Sequence, residues 1–128
     1  MPNTSKYKFL TAQYNIITLT RGDTYSFELN IDDHGENYQL TGDDTVYFGI
    51  MDPNQRFEDA LVKKKFTVDD LDPAGNLIIQ IDPEDTLDLL PGRYFYAIKL
   101  LRDHLEADGT EVYNVETVVD KTKFIICD

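Results

Sequence analysis

From Thr24 to Ile31 the chain alternates without interruption, with Tyr25, Phe27, Leu29 and Ile31 on one side and Thr24, Ser26, Glu28 and Asn30 on the other. A period of two fits a half-buried β-strand and excludes an amphipathic helix, whose apolar stripe follows helical spacing. The signature returns along the chain. Ile16-Ile17-Thr18-Leu19-Thr20 is rich in β-branched residues and is parted from the first run by Arg21-Gly22-Asp23, which makes a hairpin or a tight corner between sheets. Val46, Phe48 and Ile50 alternate with Thr45, Tyr47 and Gly49, and Leu77 to Ile81 is apolar enough to be covered on both faces. Arg93 to Leu101 is the longest strand candidate; apolar residues on both of its sides place it centrally. Val112 to Val119 and Thr122 to Ile126 close the chain as two more strands joined at Asp120-Lys121.

Turn chemistry separates these segments. Gly35, Asn37, Gly42 and Asp43 punctuate a short Tyr38-Gln39-Leu40, and Asp72-Pro73-Ala74-Gly75-Asn76 leads into Leu77. Within Ala60 to Val68, Val62 and Phe66 share a face that Lys64 interrupts, and Lys63-Lys64-Lys65 marks an edge strand, where lysines oppose pairing with other chains. Asp82-Pro83-Glu84-Asp85-Thr86 opens the one short helix, with Asp82 as N-cap and Pro83 at the first helical position, and Pro91-Gly92 stops it. Arg102 to Thr110 is a solvated hairpin loop. The sum is an all-β, antiparallel β-sandwich of about eight or nine strands with one short helix. Its core is expected to hold Phe27, Leu29, Phe48, Ile79, Tyr96 and Ile98.

With 37 of 128 residues Leu, Ile, Val or Phe, the chain has the apolar content to build one core, and a single domain is expected over residues 15–128. Residues 1–14 lack the alternation and are read as an N-terminal arm. Lys6, Tyr7, Lys8, Phe9 and Leu10 are its partner-binding residues: too few to form a core, enough to fill a groove, and opposite in charge to the rest of the chain. The other outcome for this segment is an extra strand of its own sandwich.

Twenty-four acidic residues stand against twelve basic ones, a net charge of −12 with both histidines neutral. Such a balance argues against nucleic acid and anionic membrane as partners. The first residues hold no apolar stretch of signal-peptide length, so a chain soluble as synthesised is expected. The lone Cys127 excludes an intrachain disulfide.

Chemistry-bearing residues are sparse. Ser5, Ser26, His34 and His104 are the material for a nucleophile and base, yet both histidines sit in acidic loops where a solvated side chain is the ordinary outcome. Residues 67–92 hold seven acids and no Lys or Arg, but these occupy turns and a helix start, where capping and solvation account for them. Asp70, Asp72 and Gly75 echo part of a calcium loop, which fails at Ile81, where a bidentate glutamate is required. Arg21-Gly22-Asp23 spells a tripeptide that integrins recognise, though each residue has a local task in a turn. Asn3-Thr4-Ser5 matches a glycosylation acceptor, relevant only in a secretory pathway. No catalytic residues, no cofactor and no metal are therefore expected, and the chain is read as not an enzyme.

A family resemblance rests on order and spacing. Ile17-Thr18-Leu19-Thr20-Arg21-Gly22-Asp23-Thr24, then Tyr38-Gln39-Leu40-Thr41-Gly42-Asp43 leading into Val46-Tyr47-Phe48, resembles the opening of the N-terminal domains of upper baseplate proteins of tailed bacteriophages and related prophage virion proteins. Gly75-Asn76-Leu77-Ile78-Ile79, Pro83-Glu84-Asp85-Thr86 and Leu90-Pro91-Gly92-Arg93-Tyr94-Phe95-Tyr96 are similar to the second half of that domain, so the likeness spans about residues 16–126. It implies an Ig-like sandwich acting as a structural virion module, made in the bacterial host cytoplasm, with other virion proteins and itself as partners. Baseplate, tail and capsid exterior all stay open as its station. The alternative is a carbohydrate- or cell-surface-binding β-sandwich module, for which the eight tyrosines are the feature of interest and the absence of Trp the contrary one.

Overall fold

The computed structural model describes residues 10–12, 14–105, 107–109 and 111–128. Its strands are β1 (Leu10–Ala12), β2 (Ile17–Thr20), β3 (Tyr25–Leu29), β4 (Ile31–Asp33), β5 (Glu36–Asn37), β6 (Asp44–Met51), β7 (Val62–Phe66), β8 (Leu77–Ile81), β9 (Gly92–Leu105) and β10 (Glu111–Cys127), with one α-helix, α1 (Pro83–Leu87). The fold is all-β and sandwich-like. One layer is a five-stranded sheet in the order β2-β10-β9-β6-β7; the other consists of a three-stranded sheet, β1-β4-β5, and the pair β3-β8. Asn30 alone separates β3 from β4, so one bent run of chain serves both parts of the second layer.

The core lies between the layers. Val46, Phe48 and Ile50 of β6 meet Tyr96, Ile98 and Leu100 of β9, and the second layer contributes Leu29, Ile31, Ile79 and Ile81, all buried. Of the six residues expected there, five are buried. Phe27 is half-buried, because β3 has no strand on its second edge among the described residues and the ring meets solvent there while packing 6.4 Å from Phe48 and 6.5 Å from Tyr96.

Three elements differ from the sequence expectation. The sandwich is not wholly antiparallel, since β2 runs parallel to β10, Phe124 to Cys127 pairing with Ile17 to Thr20. Arg21-Gly22-Asp23 then carries the chain across to the other layer as a corner, with Gly22 at φ 85°, where a side chain is strained. The two closing strands are one strand: Asp120-Lys121 is not a turn but part of a bulged stretch, with register shifts between Thr117 and Thr122. The bulge lets Val118 and Val119 both be buried, which strict alternation forbids. The hairpin joining β9 to β10 is correspondingly tighter, with β9 continuing to Leu105.

The edge position of β7 and the central position of β9 are as the sequence indicates. Lys64 shares the inner side with Val62 and Phe66, and its Nζ lies 2.7 Å from Asp82 Oδ2 and 2.6 Å from Asp85 Oδ2. This cation closes the sheet edge against the start of α1. Burial pulls the Lys64 pKa down, but the hydrogen bonds it donates to both carboxylates, with their charges, outweigh it and hold the group above its ordinary value. No helix among the described residues is long and apolar enough to cross a membrane.

Of the segment expected as an arm, Leu10–Ala12 forms β1, paired antiparallel to Ile31–Asp33 of β4. Leu10 and Ala12 are buried in the chain's own core. Lys6, Tyr7, Lys8 and Phe9 lie outside the described residues.

Phe48→Ala is expected to cost about 3–5 kcal/mol, the range for a fully enclosed ring, and Phe27→Ala distinctly less, because that ring is already partly solvated. Urea denaturation of both variants checks the order; equal losses would contradict the half-open position of β3.

Candidate functional site

The polar residues that first attract notice are occupied by the fold. Arg21 pairs with Asp128 at 2.8 Å and Gly22 N–H donates to Thr86 Oγ1 at 2.9 Å, so the Arg-Gly-Asp corner is tied to both the C-terminus and α1. Asp72 Oδ1 accepts from the N–H groups of Ala74 and Asn76, and Asp70 Oδ2 from that of Thr67. These acids shape turns. Among the described residues no set of three His, Cys, Asp or Glu side chains is placed to hold a metal ion. Ser26 is exposed on β3 opposite Gln80, whereas His34 sits in the β4–β5 turn with Nδ1 2.6 Å from Asp33 Oδ1. Ser5 and the side chain of His104 lie outside the described residues.

A buried polar knot closes one end of the sandwich. The Asp44 carboxylate is fully enclosed; it accepts from Tyr38 Oη at 2.7 Å, Thr41 N–H at 3.0 Å and Arg102 Nε at 3.2 Å. Arg102 also donates to the Tyr38 hydroxyl. With the Thr41 hydroxyl, which donates at 3.3 Å, three neutral donors and a guanidinium satisfy this carboxylate, as a buried charge requires. Glu116 lies on the inner side of β10, opposite Leu100, and its Oε2 is buried with no hydrogen-bond partner among the described residues. Burial pushes its carboxyl pKa up, against the Arg102 charge and with help from Asp33 and Asp44.

Among the described residues, two surfaces stand out as open to a partner. On the outer face of the five-stranded sheet, Tyr47 of β6, Lys99 and Leu101 of β9 and Val115 of β10 are neighbours by register. The segment between β6 and β7 folds back over half of this face. Its hold is local and polar: Leu61 N–H donates to Ile50 O at 2.8 Å and Lys121 Nζ to Gln55 O at 2.7 Å. Phe57 is its anchor. A side-chain carbon on Gly49 would stand 2.8 Å from the Phe57 ring, so only glycine at that strand position admits the ring. Lys63 and Lys99 place their Nζ atoms 5.7 and 5.0 Å from the ring centroid. Beyond Phe57 the other half of the face stays uncovered, a depression of about 290 Å³ over Tyr47, Leu101 and Val115, the last 50% exposed.

The second surface is a smaller cleft, about 130 Å³, beside the free edge of β3. Tyr14, Tyr25, Phe27 and Tyr96 line it together with Asn15 and Glu28. Tyr96 Oη donates to Asn15 O at 2.7 Å, and burial raises the pKa of that hydroxyl above its ordinary value. Neither surface was singled out by the sequence. The available signal for the first was Gly49 within a strand, a mark of close backbone approach.

No family model, no curated protein and no solved structure matches the chain.

Two outcomes test this description. Because the fold raises the Glu116 pKa, the native state holds that proton more tightly than the unfolded chain, and the ionised carboxylate is a liability at pH 7. Glu116→Gln is expected to raise the melting temperature at pH 7, the gap closing as pH falls towards the ordinary glutamate value of about 4.3. Gly49→Ala is expected to cost about 1–3 kcal/mol by driving Phe57 off the sheet. Adding Phe57→Ala should make the Gly49 substitution much milder in a double-mutant cycle, because the clash then has no partner.

Proposed function

We propose that the chain is a non-enzymatic structural protein of a bacteriophage or prophage particle, an Ig-like module of baseplate, tail or capsid exterior that works by protein–protein assembly. The observation that carries this reading is the outer face of the five-stranded sheet: Tyr47, Leu101 and Val115 remain uncovered beside Phe57, with Lys63 and Lys99 at their margin. An apolar sheet patch with a charged margin has the anatomy of a protein interface. The resemblance in residues 16–126 supplies the particle. Its motifs fall on coherent structural units: Ile17 to Thr24 spans β2 and the corner into β3, and Leu90 to Tyr96 leads from α1 into β9. Partners on this reading are other virion proteins and further copies of the chain, without nucleic acid or membrane, in keeping with the net charge of −12. The protein is made in the host cytoplasm and ends in the virion.

A carbohydrate- or cell-surface-binding module is the second reading, favoured by the aromatic cleft at β3. Tyr14 and Tyr25 offer faces on which a sugar ring can stack, and Asn15 and Glu28 offer polar groups.

Quantitative mass spectrometry of purified tailed particles from the host that encodes the chain tests the first reading: the chain is expected in a fixed ratio to the other virion proteins. Absence from the particles, together with glycan binding that Tyr25→Ala abolishes, would favour the second.

A further inference from the structure

We propose that copies of this chain dock head to tail, the α1 end of one copy seating in the uncovered outer-face depression of the next. The inference rests on the reading of the chain as an assembly module and adds the partner.

The projecting half is built around α1. Glu84, Leu87 and Asp88 fall on one side of the helix by their three- and four-residue spacing, and Leu90 follows after Leu89, which packs against the core. Leu87 is 57% exposed and Leu90 75%, while Glu84 and Asp88 beside them are exposed acids. These leucines are presented by a rigid support. Asp82 and Asp85 are clamped by Lys64, Thr86 is buried and takes the Gly22 N–H, and Leu90 O accepts from Tyr94 Oη. A rigid apolar projection loses little entropy on docking, which favours affinity.

The receiving half is the depression over Tyr47, Leu101 and Val115. Its margin carries Lys63 and Lys99 with a single acid, Glu58, and Lys65 lies outward on the same strand as Lys63, so cations are in excess there. The two halves are complementary in both respects: an apolar projection flanked by acids meets an apolar depression whose margin holds more lysines than acids. Like halves do not match. Depression against depression brings together two margins with an excess of lysines over the one Glu58, and projection against projection opposes carboxylates, each an unfavourable pairing. A two-fold contact through either half is thus disfavoured, and the complementary contact is heterologous. The projection lies by the Arg93 end of β9 and the depression by its Leu101 end, roughly 26 Å apart along the strand. One copy can therefore receive and donate at once, closing a ring or extending a row according to the rotation between neighbours.

Sedimentation velocity on the full chain over a wide concentration range tests this. Wild type is expected to grow in mass with concentration and to dissociate with salt. Val115→Asp and the double variant Leu87→Asp, Leu90→Asp are each expected to be monomeric, all three substitutions lying at exposed positions. Mixed together, these two variants should form a one-to-one dimer that grows no further, because each keeps the half the other lacks. A second pair guards against misfolding: Lys63→Glu with Lys99→Glu in one chain, and Glu84→Lys with Asp88→Lys in the other, should each fail alone and associate when mixed. Monomeric wild type at every concentration overturns the inference, as does a mixture that stays monomeric or variants that associate like wild type. Binding of an acidic leucine-containing peptide without self-association also overturns it and assigns the depression to another protein. Failure here with the chain present in purified particles leaves the virion reading standing; absence from particles with self-association intact removes that reading alone.

Discussion

Tyr96 holds the molecule together. Its ring stacks on Phe48 at 5.6 Å, meets Phe124 edge-on at 6.3 Å and reaches Phe27 of the facing layer at 6.5 Å, so one side chain ties β6, β9 and β10 to β3. The hydroxyl is satisfied by the backbone carbonyl of Asn15, which fixes the segment leading into β2. A buried tyrosine requires such a partner, and here the partner sets where the chain enters the five-stranded sheet. β2 then pairs parallel with β10, and the Arg21-Gly22-Asp23 corner delivers β3 to the opposite layer. Aromatic packing and one hydrogen bond thus meet beside the edge where the sandwich departs from antiparallel.

Alternation made most of this legible. Tyr94, Tyr96 and Ile98 share a side in the sequence and share the core in the structure, and the same holds for Val46, Phe48 and Ile50. What alternation cannot read is an irregularity that changes the side on which a residue falls. The β10 bulge is such a case: the polar Asp120-Lys121 pair has the appearance of a turn, yet Asp120 and Lys121 form local bonds within a continuing strand. Lys64 shows a second limit. Alternation sets it on the side of Val62 and Phe66, but not what holds a cation there; the distant Asp82 and Asp85 make that inward position tolerable. Long-range pairing of this kind leaves no trace in local pattern.

The candidate surfaces were less legible still, because they depend on what the chain leaves uncovered. Tyr47, Leu101 and Val115 belong to strands distant in sequence, and nothing in their local patterns tells that the β6–β7 segment stops short of them. Gly49 marks the covered half, and its neighbour Phe57 is an unremarkable loop aromatic until the two are seen together. The expected partner-binding set could be followed only at Leu10, whose side chain serves the core of its own molecule.

The distribution of charge has a physical logic that the net value conceals. Cations on the inner side of the five-stranded sheet, Lys64 and Arg102, are each held by buried or half-buried carboxylates, because a charge removed from water must be matched where it lies. Cations on the outer side, Lys63, Lys65 and Lys99, have no such constraint and gather around the uncovered apolar patch. Acids in excess occupy the turns and α1, where backbone N–H groups and helix starts accept them readily. A strongly acidic chain thereby acquires a basic face without any residue being out of place for folding. Since self-repulsion of a uniformly acidic surface opposes association, sorting lysines around the uncovered patch of Tyr47, Leu101 and Val115 lowers that barrier where the sheet has hydrophobic area to bury.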